Sequence, residues 1–410
     1  METLWIVLIL LIATRVCGSV ASRFGQPVLV GELLAGIVLG IVAGQLDRQI
    51  FSFELSSDHH LMALSDLGIF FLMLLGGFEL RPRDLVESSY RGLIIAVTAM
   101  LVPWLSGFYV GWLWLPESDL RFAQSLFVGT ALAITAVPVT IRMFMDIGML
   151  QSNIGKLVVS AAVFDDFLSL ILLSILVAII NTGQLPDYSI LSLILLKVLL
   201  FLVVTFLLGK YLMPLLARYA ASIKVEEMIF SFLLLAGAVF AVLAEFLGLH
   251  FILGAFAAGL FFGKHTISKK VYKDLHRKLS AITTGFLAPI FFASIGIELN
   301  LSALIEIPVF LVLLLSLAFL GKLLGAAIPA RLLGFRSRDG WAIGLGMNAR
   351  GAVGLIIAGI ALDSGLFITK GVPSPVVENL FSAIVIVVIL TTIVAPIGVK
   401  WVLSKDVQKA

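Results

Sequence analysis

The chain has 410 residues, of which 60% are hydrophobic and only 13% are charged, with a net charge of +3 and a mean hydropathy of +1.13. Ordinary soluble proteins carry about 25% charged residues, so this composition excludes a soluble globular domain and predicts a polytopic membrane protein. The one cysteine, Cys17, excludes a disulfide framework and a cysteine metal cluster.

The apolar segments are long and continuous, which favours α-helical spans over the ~10-residue alternation of an outer-membrane barrel. A helical span needs about 20 apolar residues. By this criterion we predict an all-α membrane protein with about thirteen transmembrane helices, at approximately 4–22, 28–45, 61–80, 91–115, 122–146, 151–181, 190–216, 225–248, 250–264, 280–298, 305–334, 339–363 and 375–403. The first is interpreted as a retained span, because no basic region precedes it as in a secretion signal.

The basic residues are distributed unequally between the two sides that these spans define. One set of connecting segments holds only Arg48, Arg121 and Lys370, whereas the other holds most of the remaining lysines and arginines. Because basic loops stay cytoplasmic, we expect the N-terminus outside and the C-terminus inside. The basic segment 264–278 is interpreted as a solvated loop, with attraction to anionic lipid headgroups as the alternative.

An internal repeat links the two halves of the chain. Glycines at positions 31, 36 and 40 recur at 254, 259 and 263, and the segment 76–80 resembles 296–299, both at an offset of about 220 residues. Glycine spacing alone can reflect close helix packing, but two matches in the same order are stronger. The second span pairs with the ninth, an odd shift that predicts inverted-topology repeats, an architecture of transporters.

The repeat predicts that the fifth and twelfth spans correspond, and both have unusual sequences. The fifth contains Thr135 and Pro138, and proline breaks or kinks a helix. The twelfth contains Asn348 and Arg350 among the glycines Gly344, Gly346, Gly351 and Gly354. Two interrupted helices at corresponding places indicate a binding site between the repeats. The alternative for Pro138 is a kink without functional consequence.

Two adjacent aspartates, Asp165 and Asp166, interrupt the apolar run 157–180. One ionised carboxylate at bilayer depth costs at least ~2.5 kcal/mol, and two of them ~4 Å apart repel by roughly 4 kcal/mol. Lys322, in the middle of the eleventh span, is a candidate partner for one of them. The other can bind either a proton or a hard monovalent cation, and such competition is sufficient for exchange transport. The alternative is an ion pair that only orients helices.

Other polar residues within the spans are given structural roles. Glu32 and Glu245 are interpreted as packing residues, with service as secondary proton sites as the alternative. Arg142 and Asp146 are four residues apart and are predicted to form a pair along one helix. For Arg350 we favour a structural role, the capping of carbonyl groups at the helix break.

The segments 26–36 and 321–325, together with Asp165–Asp166 and Arg350–Gly351, resemble the monovalent cation:proton antiporter-2 family, and most closely its bacterial electrogenic sodium/proton antiporters. The resemblance implies that Asp166, with Asp165, binds Na⁺, and that Asp165 pairs with Lys322 and releases it when the cation binds. Thr135 matches a family threonine at the fifth-span break. Members often carry an acid where this chain has Ala352, which leaves the partner of Arg350 open.

The resemblance also implies a division of the fold. Residues 91–181 and 305–403 form an ion-transport core, residues 1–90 and 225–304 a dimerisation scaffold, and residues 182–224 a linker helix. We expect a homodimer in the bacterial cytoplasmic membrane that exchanges Na⁺ or Li⁺ for H⁺ and needs no cofactor and no nucleic acid.

Three other functions would make different demands on the same residues. K⁺/H⁺ exchange on the same scaffold is the nearest, because the residues do not determine the ion. A passive channel requires a continuous polar stripe, which is not found. An intramembrane aspartyl protease requires aspartates on two helices, whereas Asp165 and Asp166 are neighbours on one. We therefore expect a transporter and not an enzyme.

Overall fold

The computed structural model describes residues 2–45, 59–80, 82–182, 188–215, 227–263, 267–297, 302–351 and 374–407, with residues 354, 357–358, 361 and 365–367. Over these ranges the regular secondary structure is helical and contains no β-strand. The predicted all-α class is confirmed. Parts of the linker, the segment Glu298–Leu299 of the repeat and most of 352–363 lie outside the described residues.

The helices follow the predicted spans closely. Numbered in chain order, they are α1 (Glu2–Arg23), α2 (Val28–Gln45), α3 (His59–Glu79), α4 (Pro82–Trp114), α5 (Arg121–Ala133), α6 (Val137–Asp146), α7 (Asn153–Thr182), α8 (Tyr188–Leu207), α9 (Met228–Phe246), α10 (Phe251–Phe261), α11 (Lys269–Ile282), α12 (Ala288–Ile297), α13 (Ser302–Glu306), α14 (Pro308–Leu332), α15 (Ser337–Gly346), α16 (Pro375–Glu378) and α17 (Leu380–Val407).

Within the described ranges, nine helical segments are long and apolar enough to cross a membrane, and α2 and α10 contain shorter apolar stretches. The predicted division of the eighth and ninth spans at His250 is confirmed, because α9 ends before this residue and α10 begins after it. The total of about thirteen spans stays a prediction.

The fifth predicted span is two helices, because the chain leaves the helical conformation between α5 and α6. Ile134 and Ala136 are extended, with ψ angles of 140° and 110°. Pro138 lies in the first turn of α6. Proline lacks a backbone N–H group, and in the first turn this group would have no acceptor within the helix. The proline therefore helps to start a second helix, and the interpretation as a simple kink is wrong.

The twelfth predicted span is interrupted at the corresponding place. Helix α15 ends at Gly346, and the chain from Asn348 to Gly351 is not helical. The two interruptions touch, because the backbone N–H of Ala136 donates to the carbonyl oxygen of Ala349 at 2.9 Å. Two broken helices therefore meet at their breaks, as the repeat predicted.

The basic segment is not the loop that we predicted. Residues Lys269–Ile282 form α11, which continues through a π-helical turn (Thr283–Leu287) directly into α12. Tyr272, Leu275 and Leu279 are buried on one side of α11, at the spacing of a helical face. The charged residues cover the rest of this helix, so the segment is amphipathic.

The predicted repeat recurs in the helix contacts. A Cβ atom added at Gly36 in α2 would overlap the carbonyl oxygen of Ala293 in α12, and one added at Gly259 in α10 would overlap that of Leu74 in α3. The pairs α2–α12 and α10–α3 are therefore equivalent contacts. Four further glycine contacts with carbonyl oxygens form two more matched pairs. Gly31 with Cys17 corresponds to Gly254 with Phe240, and Gly77 with Phe256 corresponds to Gly296 with Leu33.

These contacts predict a strong dependence of stability on two glycines. Gly36→Val and Gly259→Val should each destabilise the protein by about 1–3 kcal/mol or more, because backbone carbonyl groups cannot move away as flexible side chains can. The measurement is the thermal unfolding midpoint of the detergent-purified protein. Gly285→Val is the matched control, since no heavy atom lies within 4 Å of an added Cβ there. Equal midpoints for the three variants would contradict the packing account.

Candidate functional site

Asp165 of α7 is completely buried, and both of its carboxylate oxygens have polar partners. Its Oδ2 atom accepts a hydrogen bond from the backbone N–H of Thr135 at 2.7 Å. Both carboxylate oxygens lie 3.3 Å from the ammonium nitrogen of Lys322 in α14. Asp165 therefore connects the start of α6 to a buried cation on another helix, and it occupies the end of α6 where a helix dipole favours negative charge.

Lys322 also contacts the broken end of α5. Its side chain is completely buried, and its ammonium group donates to the carbonyl oxygen of Ala133, the last residue of α5. The final carbonyl groups of a helix have no partners within the helix. Lys322 therefore satisfies one of them and pairs with Asp165 at the same time.

Arg350 satisfies the neighbouring carbonyl groups. Its Nη2 atom donates to the carbonyl oxygen of Leu132 at 2.5 Å and to that of Ala318 at 3.1 Å. The bond to Leu132 has the geometry of the predicted capping role, at the end of α5, whereas Ala318 lies in the middle of α14.

Three more side chains donate hydrogen bonds at the two breaks, and one of them, Thr135, joins the first break to the second. The hydroxyl of Thr135 donates to the carbonyl oxygen of Met347 at 3.1 Å, and the amide of Asn348 donates to that of Gly344 at 3.1 Å. The hydroxyl of Thr392 in α17 donates to the carbonyl oxygen of Arg350 at 2.5 Å. The sequence did not single out Thr392, because a threonine in an apolar helix more often bonds to its own backbone.

Asp166, the next residue on α7, has different surroundings from those of Asp165. Its side chain is 9% exposed, compared with 0% for Asp165, and its buried Oδ1 atom has no hydrogen-bond partner among the described residues. Adjacent helical residues point about 100° apart, so the two carboxylates face different surroundings. Val163 and Phe167, close to Asp166 on α7, line an apolar cavity of about 450 Å³ that α8 and α10 also border.

A second buried charge cluster lies at the other end of α6. Arg142 contacts Asp146 at 2.9 Å, which confirms the predicted pair along one helix, and it contacts Glu32 of α2 at 3.3 Å. Glu32 is therefore in direct contact with a buried guanidinium and is not only a packing residue. Glu245, by contrast, is exposed on α9, so its packing role stays a prediction.

Comparisons with known proteins identify the family of the chain. Residues 7–405 match the family described as sodium/hydrogen exchanger, transmembrane. The chain belongs to this family, which confirms the resemblance seen in its motifs. Relatives that it matches are antiporters, which are transporters.

Two relatives cover nearly the whole chain. The Na⁺/H⁺-K⁺ antiporter GerN of Bacillus cereus is 32% identical over 395 residues, which are 96% of this chain and 94% of GerN. A Na⁺/H⁺ antiporter of Enterococcus hirae is 29% identical over 407 residues, 99% of each chain.

A solved structure shares the fold. The sodium proton antiporter MjNhaP1 from Methanocaldococcus jannaschii superposes with a TM-score of 0.69 at 16% sequence identity, over 99% of this chain and 98% of that one. The likeness establishes a common helical membrane architecture.

The ion pair of Asp165 and Lys322 predicts a non-additive effect on stability. Lys322→Met should destabilise the protein by about 3–5 kcal/mol, because it leaves a buried carboxylate without a counter-charge. The double variant Asp165→Asn/Lys322→Met should lose less than Lys322→Met alone. Thermal unfolding in detergent measures both.

The matched control is Lys269→Met, since Lys269 is exposed on α11 and surface substitutions stay within about 0.5 kcal/mol. If Lys322→Met were as stable as this control, the pair would not hold the site together.

Proposed function

We propose that this protein exchanges Na⁺ for H⁺ across the membrane, with the two ions competing for Asp166. The observation that carries the proposal is the contrast within the doublet. Asp165 is committed to Lys322 and to the N–H of Thr135, whereas Asp166 Oδ1 is buried without a hydrogen-bond partner in the described part of the chain. An unpaired buried carboxylate is costly, so it takes up a proton or a cation.

Competition at one carboxylate produces exchange without further machinery. A carboxylate oxygen is a suitable ligand for Na⁺ only when it carries no proton. Each Na⁺ that binds therefore displaces a proton from Asp166, and the reverse occurs on the acidic side. The site must open to the two sides alternately, and the contact between the breaks of α5–α6 and α15 supplies a structure that can move as one body.

Charge balance supports the release of a second proton. With both aspartates, Lys322 and Arg350 ionised, the cluster is neutral, so a bound Na⁺ leaves one excess positive charge in a buried place. Arg350 does not deprotonate in proteins, whereas a buried lysine does so readily. We propose that Lys322 releases its proton when Na⁺ draws Asp165 away, which makes the exchange electrogenic.

The proposal includes the predicted division into core and scaffold. Helices α4–α7 and α13–α17 would form the core, α1–α3 and α9–α12 the scaffold that joins two copies, and α8 the link. One hydrophobic cluster lies entirely within the proposed core, including Phe127, Phe310 and Ile384. Another joins Leu74, Phe240 and other scaffold residues. We place the homodimer in the bacterial cytoplasmic membrane, with the N-terminus outside and the C-terminus in the cytoplasm.

K⁺/H⁺ exchange is the second candidate. It is favoured by the likeness to GerN, whose name includes K⁺ as well as Na⁺. A fluorescence assay of proton flux with Na⁺, Li⁺ and K⁺ in turn would separate the two.

Asp166→Asn is the direct test of the carrier. We expect pH-driven Na⁺ uptake into proteoliposomes to fall to the level of empty liposomes, because asparagine cannot exchange a proton for a cation. Glu245→Gln removes an acid that is exposed on α9, and it should keep the wild-type rate. Persistent uptake by Asp166→Asn would mean that another group carries the ions.

Lys322→Ala tests the second proton. Exchange by this variant should no longer move net charge, since Asp166 then carries one proton for each Na⁺. The measurement is the current on a solid-supported membrane after a sodium jump, compared with dye-detected proton flux in the same vesicles. Undiminished current with normal flux would contradict the role assigned to Lys322.

A further inference from the structure

A buried charge cluster lies apart from the doublet, where α2 meets the far end of α6. Arg142 is its centre, with Nη2 3.3 Å from Glu32 Oε1 and Nε 2.9 Å from Asp146 Oδ1. The exposed fractions of the three side chains are 4% for Arg142, 1% for Glu32 and 11% for Asp146. Two carboxylates therefore share one guanidinium with little access to water.

The charges in this cluster do not balance. With all three groups ionised, the cluster carries one net negative charge, and an uncompensated buried charge is strongly destabilising. Arg15 of α1 is the other charged residue in the electrostatic surroundings of Glu32. Its guanidinium, however, donates to the backbone carbonyl oxygens of Thr284, at 3.0 Å, and Gly285. α12 and α17 also pack on α2, but neither adds a charged group near Glu32 in the described ranges.

Asp146 has the partners that an ionised carboxylate requires. Besides Arg142, its Oδ2 accepts a hydrogen bond from the backbone N–H of Leu29 at 3.1 Å. Leu29 is in the first turn of α2, where free N–H groups and the helix dipole favour an anion. Asp146 is therefore the member of the pair that stays charged.

Glu32 has much weaker support for a negative charge. Within the described residues, its hydrogen bonding is limited to the 3.3 Å contact of Oε1 with Arg142, and its buried Oε2 atom has no hydrogen-bond partner there. A protonated carboxyl group would remove the excess charge and leave the contacts of Asp146 intact. We infer that Glu32 is a second proton-binding site, separate from Asp165 and Asp166.

A proton at Glu32 affects how two parts of the fold are joined. Arg142 is on α6, which begins at the break beside Thr135, and Glu32 is on α2. Loss of the proton turns the Glu32–Arg142 contact into a full ion pair, and gain of the proton weakens it. The pH therefore sets the strength of the interaction between α2 and α6, the half-helix that begins beside the doublet.

Infrared difference spectroscopy tests the proton directly. All proteins carry Asp166→Asn, so the result does not depend on the proposed exchange at that residue. At about pH 7, where free carboxyl groups are ionised, we expect a carboxylic acid carbonyl band that E32Q abolishes. E32D should keep the band at a shifted frequency, whereas D146E should leave it in place. E245Q, which removes an exposed acid, should also leave it unchanged.

Two results would overturn the inference. One is a band that survives E32Q, and the other is a band that D146E shifts and E32D does not, which would place the proton on Asp146. If E32Q fails to fold, the comparison of E32D with D146E decides the matter alone. With Asp166 intact, E32Q should retain Na⁺/H⁺ exchange but show a shallower pH profile. A pH profile of exchange that superposes on that of the wild type would refute a pH-controlled interaction between α2 and α6.

Discussion

The central constraint on this structure is the need to satisfy two helix ends that meet inside an apolar protein. Helix α5 ends with carbonyl groups that lack partners, and α6 begins with free N–H groups. Lys322 and Arg350 donate to the carbonyl oxygens of Ala133 and Leu132, and Asp165 accepts from the N–H of Thr135. Cations thus lie at the negative end of one half-helix and an anion at the positive end of the other.

This arrangement determines which carboxylate is available for chemistry. Because Asp165 serves the start of α6 and the ammonium group of Lys322, its charge is compensated by the fold. Asp166 follows directly on the same helix but faces elsewhere, and its Oδ1 atom lacks a hydrogen-bond partner in the described structure. One member of the doublet therefore stabilises the broken helix, and the other is the carboxylate that we propose binds the ion. The two adjacent acids have different surroundings for a geometric reason.

Much of this could be predicted from the sequence, because apolar spans, glycine spacing and charges within spans are local signals. The doublet, Lys322 and both interruptions belong to that part. The contact of Glu32 with Arg142 joins residues 110 positions apart, and no local pattern reports such a contact. The hydropathy of the basic segment does not predict its helix, because the charged residues lower the average. The helical signal is the spacing of Tyr272, Leu275 and Leu279, which lie on one face.

The most direct measurement of the central claim is the sodium affinity of the purified protein as a function of pH. Isothermal titration calorimetry between about pH 6 and about pH 9 would span the range in which a shared carboxylate exchanges its proton. Competition predicts that the apparent Kd for Na⁺ rises by up to roughly tenfold per unit of acidification for each proton that sodium displaces, with protons released as sodium binds. A Kd that stays constant across this range, with no proton release, would contradict the account.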